Sequence, residues 1–376
     1  MSASPIVVIG AGPAGASAAL HLAGSGAEVL LIDDRAEAGG TAFPPLSDDE
    51  AAFLWPDRAY RGEALRQGLR DRADRITHWR SRRVEAIRAD RTLSVRDRES
   101  GSLTDVGAEA VILATGADKI ATRMQGASLP GAMSLCDPEG LVAAARERPG
   151  ARIVLAGSGP LLWFTAARCA SARLALAAVI DAAALPGPRH LLRFLVQPGL
   201  LSQGLGWMRA VWSSDARIYR RHAATAILGR GRVQAVAVAP LGDGAPPHRI
   251  DADLVAIGFG VQPAIAMLQA AGAAVDQDTR RGLWLLRRDE DLQTSLPGIF
   301  AAGDAGAADG ADAALAEGAI VGEAVLRRSG RPVGAALAAA AVEARRRRRS
   351  LSAFVAALDD WAGPRPALSG GDQRET

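Results

Sequence analysis

Cysteine is nearly absent from this 376-residue chain: Cys136 and Cys169 are the two, too far apart to form a CxxC pair. That scarcity excludes a disulfide framework, a cysteine zinc site and an in-chain redox dithiol, and it suits a reducing, cytoplasmic setting. Lysine occurs once, at Lys119, so arginine carries almost all the positive charge, and a formal net charge of +3 gives no reason to expect a nucleic-acid partner. No run of about 18 uncharged apolar residues is present, as a membrane span would need. The five histidines, His21, His78, His190, His222 and His248, form no cluster with one another or with a serine or cysteine at a catalytic spacing. No metal constellation is visible. What is plentiful is apolar side chain, 49% of the residues. That is enough for two domains, or for one domain with another inserted in it.

The most informative segment is near the start. An apolar run, Ile6 to Ile9, leads into Gly10-Ala11-Gly12-Pro13-Ala14-Gly15, then a helical stretch, a second apolar strand from Glu28 to Ile32, and Asp33. Gly10 makes the strand-to-helix turn, Gly12 lets backbone approach a pyrophosphate, and Gly15 lets helix and strand pack closely. The helix N-terminus offers its free N–H groups and partial positive charge to the phosphates, and Asp33 can accept both hydroxyls of an adenosine ribose. This order predicts a bound dinucleotide.

The pattern recurs. Arg152 to Ala156 reads as a strand, Gly157-Ser158-Gly159-Pro160 as the turn, and Leu174 to Ile180 as a second strand ending in Asp181. Each copy is followed by a β-hairpin pattern, Val84 to Val106 and Arg217 to Val238. A closing strand comes next, Ala110 to Gly116 in the first copy and Leu254 to Gly258 in the second. The run Ser295 to Asp304 lies after the second copy but has the character of a final strand of the first. The second module is therefore expected to be inserted in the first. Gly303-Asp304 would bring a carboxylate to a flavin ribityl chain, and the helix starting at Gly310-Ala311-Asp312 would stabilise negative charge on a reduced isoalloxazine.

Gly10 to Gly15, Asp33, Gly39-Gly40, Ala114-Thr115-Gly116 and Gly303-Asp304 together resemble the two-dinucleotide-binding-domain flavoproteins, which include thioredoxin and ferredoxin reductases. Gly157 to Trp163 and Gly258 through Gly318 narrow the resemblance to the alpha subunits of FAD-dependent amino acid dehydrogenases: opine oxidases, hydrogen cyanide synthase, and proline and D-hydroxyproline dehydrogenases. This implies an α/β fold of two Rossmann-like domains, the second inserted in the first. FAD binding would fall to residues 1–117 and 288–330, a second dinucleotide-type domain to 118–287 with a helical insertion about 186–213, and a helical arm to 331–376. The implied FAD contacts are Gly10, Gly12, Pro13, Ala14, Gly15, Asp33, Asp34, Gly40, Thr41, Ala114, Thr115, Gly116, Gly303, Asp304 and Ala311. The implied partners are an FAD-containing beta subunit that oxidises the amine of an opine, proline, glycine or D-hydroxyproline, and a small [2Fe-2S] gamma subunit, in a hetero-oligomer. No cysteine follows Cys169, so any iron-sulfur centre would come from that other polypeptide.

Departures from the pattern matter as much. Where NAD(P)H-using relatives carry a small residue in the second turn, this chain has Leu162 and then Trp163, and the Leu162 side chain is expected to crowd a pyrophosphate or hold the helix off. Gly157, Ser158, Gly159 and Asp181 still allow a structurally held nucleotide such as ATP. The stretch from Leu191 to Trp212 repeats apolar residues at helical spacing, as a protein contact or as packing on its own domain. Arg345 to Arg349 follow the Ala-rich stretch Gly334 to Ala344, as a solvated helix face or a docking surface. Phe354, Leu358, Trp361 and Pro364-Arg365-Pro366 resemble the lead-in to an iron-sulfur domain. Two other functions compete: a stand-alone NAD(P)H-dependent flavin reductase, and a nucleotide-bound scaffold without redox activity.

Overall fold

A computed structural model describes residues 4–46, 56–120, 124–242, 244–279 and 281–362. The chain divides into two compact units: Met1–Asp118 with Gln262–Thr279 and Leu283–Ala353, and Lys119–Val261 with Arg280–Gly282 and Phe354–Thr376.

In the first unit a parallel sheet runs in the order Ile299–Ala301, Ala110–Leu113, Ile6–Ile9, Val29–Ile32, Ile76–Trp79. Its three central strands are buried throughout, as strands covered on both faces must be. Ile6 and Val8 point into one core with the helices Pro13–Gly24 and Ala311–Arg328, while Val7 and Ile9 point into another with Val84, Leu93 and Val95 of a three-stranded antiparallel sheet. One apolar run of period 2 thus feeds two cores. Gly318 lets the two helices touch, since a Cβ there would lie 2.5 Å from that of Ser17. As the sequence suggested, Ile299–Ala301 completes this sheet, in register with Val111–Leu113.

The second unit repeats the plan with the order Arg217–Arg220, Leu176–Asp181, Ile153–Gly157, Leu254–Gly258, Ala132–Ser134. One expectation is corrected. Arg217–Arg220 joins the parallel sheet, and the antiparallel ladder is built by His222–Leu228, Ala235–Pro240 and His248–Asp251. Ile218 and Tyr219 pack against cores on opposite faces, which is what a covered parallel strand requires.

The last helix is Ala335–Ala362. Its arginine run is not a uniformly solvated face. Within the first unit Arg345 pairs with Glu323 (2.7 Å), Arg347 with Asp312 (3.0 Å) and Arg348 with Glu317 (2.6 Å), while Arg346 and Arg349 are exposed. Within the second unit Phe354, Ala357, Leu358 and Trp361 pack around Phe194. Pro364-Arg365-Pro366 lie outside the described residues. Among the described residues no helix is long and apolar enough to cross a membrane, and no group of metal-ligating side chains gathers.

Candidate functional site

Strand Ile6–Ile9 ends in a turn that only glycine can make. Gly10 sits at φ +98°, and a Cβ on Gly15 would stand 1.8 Å from the Gly10 carbonyl oxygen, so helix Pro13–Gly24 can press directly on the turn. Gly12 is open, with nothing nearer than 3.9 Å to where its side chain would begin. Pro13 occupies the first helical turn, where its missing N–H costs nothing, and the cap carries no side-chain hydrogen bond. The free N–H groups of the helix start are left for a ligand.

Asp33, 7% exposed, accepts hydrogen bonds from the backbone N–H of Ala11 and of Arg35, the latter at 2.8 Å. Burial raises its carboxyl above the usual range, against those two donors. The loop at Gly39–Gly40 is tied to the same turn by Gly39 N–H to Ala11 O (2.8 Å). Ala114 N–H donates to Ile9 O (2.8 Å), and the Gly116 carbonyl accepts from Ala264 (3.1 Å) while the Thr115 hydroxyl donates to the Ala264 carbonyl (3.4 Å). Gly303 lies against Ala14 and Ala314, and Asp304 Oδ1 accepts from Gly310 N–H (2.9 Å), closing the loop that opens helix Ala311–Arg328. Gly10 to Gly15, Asp33, Gly39–Gly40, Ala114 and Gly303 thus converge at the carboxyl ends of the strands, where open α/β sheets bind ligands.

Two candidates point elsewhere. Asp34 is turned to Arg83 (2.9 Å) and Arg98 (3.9 Å), and Thr41 contributes its carbonyl to Arg58 (2.8 Å).

A charge network behind this site was not anticipated. Glu317, 2% exposed, accepts from Gly303 N–H (2.7 Å), Arg288 (3.0 Å) and Arg348 (2.6 Å), and Arg288 also holds the Ala301 carbonyl (2.8 Å). At the helix start Asp312 takes Arg61 (2.8 Å) and Arg347 (3.0 Å). The clue in the sequence is a pair of glutamates, Glu317 and Glu323, within the mostly small and apolar middle of that helix, where burial demands a counter-charge.

The second turn has the same order and a different interior. Gly157 packs on Gly258, where a Cβ would meet the carbonyl oxygen at 2.1 Å, and Gly159 is open at φ +80°. Leu162 does not reach toward a pyrophosphate: it is fully buried in a core with Leu135, Leu141, Ile153 and Leu155. Asp181 is fully buried too. It accepts from the Trp163 indole N–H (3.1 Å), Ala183 N–H (3.0 Å) and Arg220 (3.4 Å), and the guanidinium of Arg220 lies 4.9 Å over the Trp163 ring. Burial raises its carboxyl as well. Cys169 is buried, its thiol pushed up to about 12 by desolvation, while Cys136 is half-buried.

The chain matches the pyridine nucleotide-disulphide oxidoreductase family over residues 4–189 and 211–318. It is 31% identical to an opine oxidase subunit of Agrobacterium tumefaciens over 85% of this chain and 65% of that one. With the opine oxidase subunit of the same name from Rhizobium meliloti the identity is 30% over 98% and 80%. The chain therefore spans 65% of the first relative's length and 80% of the second's. Among solved structures, a thioredoxin reductase from T. acidophilum superposes with a TM-score of 0.65 at 21% identity, over 86% of this chain and 98% of that one. Two Rossmann-like modules, one inserted in the other, and the match along most of its length make this chain a member of the pyridine nucleotide-disulphide oxidoreductase family.

Proposed function

We propose that this protein is the FAD-binding subunit of a heteromeric dehydrogenase that oxidises the amine of an opine or amino acid, including proline, glycine and D-hydroxyproline. It would work with an FAD-containing subunit that meets the substrate and a small [2Fe-2S] subunit. The observation that carries the reading is the asymmetry of the two turns. The first leaves its backbone donors open beside Asp33, whereas in the second the acid that would hold a nicotinamide nucleotide's ribose is closed over by Trp163 and Arg220. A chain with one open dinucleotide site and no dithiol needs its reducing equivalents from a partner. The opine oxidase relatives are named as subunits, which agrees.

The residues present fit FAD. Gly10, Gly12 and the start of helix Pro13–Gly24 would hold the pyrophosphate with Ala14 and Gly15 in support, Asp33 the adenosine ribose, and Gly303-Asp304 the ribityl side. Gly40 and Ala114 to Gly116 would border it. The Ala311 end of its helix would face the pyrimidine ring, with Asp312 neutralised by Arg61 and Arg347. FAD when bound supplies the electron transfer; the protein supplies position and field. Glu317, fixed by two arginines, holds the Gly303 N–H and so sets the turn. The second turn keeps an open backbone at Gly159 for the phosphates of a nucleotide such as ATP.

Anaerobic spectroscopy tests the reading. The isolated chain should carry FAD and stay oxidised with NADH or NADPH, and it should bleach with an amino acid or opine only when its partner is present. Rapid bleaching of the lone chain by NADPH would overturn it and leave a pyridine-nucleotide reductase.

A further inference from the structure

Within the first unit, Arg345, Arg347, Arg348 and Ser352 of the last helix reach helix Ala311–Arg328 and the loop before it. Arg345 meets Glu323 (2.7 Å), Arg348 meets Glu317 (2.6 Å), Arg347 meets Asp312 (3.0 Å), and the Ser352 hydroxyl donates to Asp309 (2.7 Å). Arg345, Arg348 and Ser352 are spaced three and four residues apart, as one face of a helix requires. Their partners descend from Glu323 to Asp309 as the donors rise, so these contacts end at the start of the earlier helix.

That start is where the FAD reading would put the pyrimidine ring. Asp312 lies in the first turn, where the helix dipole already favours a carboxylate, and the cap residue Gly310 makes no side-chain hydrogen bond. Asp312 nonetheless accepts from two guanidinium groups, Arg61 at 2.8 Å and Arg347 at 3.0 Å. Arg61 is itself held, 4.8 Å over the Phe43 ring and 3.7 Å from the exposed Asp57. Ion pairs with an exposed partner contribute little to stability, so folding does not explain a second guanidinium on a carboxylate that its helix already favours. The field does explain it. Asp312 left bare would oppose the positive end of the helix, and the two arginines keep that end positive.

Resting on the FAD-binding reading above, we infer that Arg347, with Arg61, sets the potential of the flavin: it keeps the first turn of helix Ala311–Arg328 positive and so favours the reduced, negatively charged isoalloxazine over the neutral oxidised one. Charge beside the ring is one of the handles a protein has on that equilibrium. Arg347 acts through Asp312 and the helix end, as a positioning residue. Arg348 differs in kind. Its partner Glu317 holds the Gly303 N–H, so it acts on the shape of the turn and on both forms of the cofactor alike.

The test is the midpoint potential of the full chain carrying FAD, by anaerobic dye titration, with FAD affinity and melting temperature measured beside it. Arg347→Gln should lower the potential and Asp312→Asn should raise it, opposite signs from the two halves of one ion pair. Damage to packing would move both the same way, so the signs separate field from scaffold. Each shift should reflect roughly a two- to tenfold change in the ratio of reduced to oxidised affinity, tenfold reading as about 30 mV for a two-electron couple. Both shifts should shrink with added salt, since Arg347 is exposed and Asp312 half-buried. Arg346→Gln, at an exposed neighbour on the same helix, should leave the potential unchanged, and Arg348→Gln should weaken FAD binding without moving it. Shifts of one sign, or none, for Arg347→Gln and Asp312→Asn would overturn the inference and leave the FAD-binding reading standing. An equal shift from Arg346→Gln would do the same. A full chain that takes up no FAD would overturn both.

Discussion

The two glycine turns share one order of strand, turn, helix, strand and acid, and they differ in what surrounds the acid. Asp33 is held by backbone N–H groups alone, beside a turn with open donors. Asp181 is held by an indole and a guanidinium in addition to one backbone N–H, and is fully buried. Two substitutions separate the outcomes: Leu162 stands where the first copy has Gly15, and the indole of Trp163 reaches the carboxylate that a ribose would need. A binding motif persists as architecture once its acid is closed over, so the occupant of such a motif is read from the side chains around the acid rather than from the glycines.

The comparison is tested hardest by the buried charge behind the first turn. Glu317 lies between Arg288 and Arg348, the three side chains being 3%, 6% and 28% exposed. Glu317→Ala leaves two guanidinium groups without their carboxylate and the Gly303 N–H without its acceptor, so it should destabilise the protein by about 3–5 kcal/mol. Denaturant unfolding measures this, and the variant should also retain less FAD. A cost below about 1 kcal/mol would mean that solvent reaches the network and that it does not fix the Gly303 turn.

Next in size is an exchange at the matched positions. Gly15→Ala forces a methyl against the Gly10 carbonyl oxygen, where the acceptor is backbone and cannot swing away. Overpacking of this kind costs about 1–3 kcal/mol, and here it should also remove FAD, read from absorbance of the purified protein. Leu162→Gly, the reverse change, should destabilise through the cavity it leaves without conferring NADPH binding, because Asp181 stays closed. NADPH binding by Leu162→Gly, measured by calorimetry, would show that Leu162 alone shuts the second turn.

Much of this was legible in the sequence, because strand–glycine–helix order and period-2 apolar runs are local. Ile6–Ile9, Ala110–Leu113 and Leu254–Gly258 lie within the stretches that their patterns mark, and Ile299–Ala301 returns to the first sheet across a long insertion. The failures concern side chains whose partners are remote in sequence. Nothing near Trp163 announces that its indole will meet Asp181, and nothing near Arg348 announces Glu317, 31 residues away. Arg217–Arg220 was read with the following hairpin because two arginines flank only two apolar residues, and the covering cores on either side are not local information.

Acidification should separate the modules further. In the first, burial lowers the His78 imidazole from 6.5 to about 4, and among the described residues its Nε2 lacks a partner. The unfolded chain therefore takes up a proton below about pH 6.5 that the folded one refuses, and stability is lost as pH falls toward 4. The linkage limit is about 3 kcal/mol, reduced by the ring's partial exposure. His78→Gln should lose less stability than the wild type over that interval. In the second module the raised Asp181 carboxyl works the other way: the folded state holds its proton above the usual 3.8, so this group's contribution declines as pH rises from there. Asp181→Asn should gain on the wild type as pH increases. Parallel unfolding curves for either variant and the wild type across pH 4–7 would remove that group from the account.

The smallest effect concerns the arginine run, where one helix offers its own control. Arg345 and Arg348 meet Glu323 and Glu317, whose side chains are 11% and 3% exposed, whereas Arg346 and Arg349 are exposed on the same helix. Arg346→Ala and Arg349→Ala should each change stability by less than about 0.5 kcal/mol, since exposed positions without such features rarely do more. Arg348→Ala should exceed them several-fold, because it strands a buried carboxylate, and Arg348→Lys should recover part of the loss by restoring the charge without the planar fork. Equal effects for Arg346 and Arg348 would mean that the run acts as a surface after all, and that the first turn is as indifferent to the last helix as the exposed arginines are.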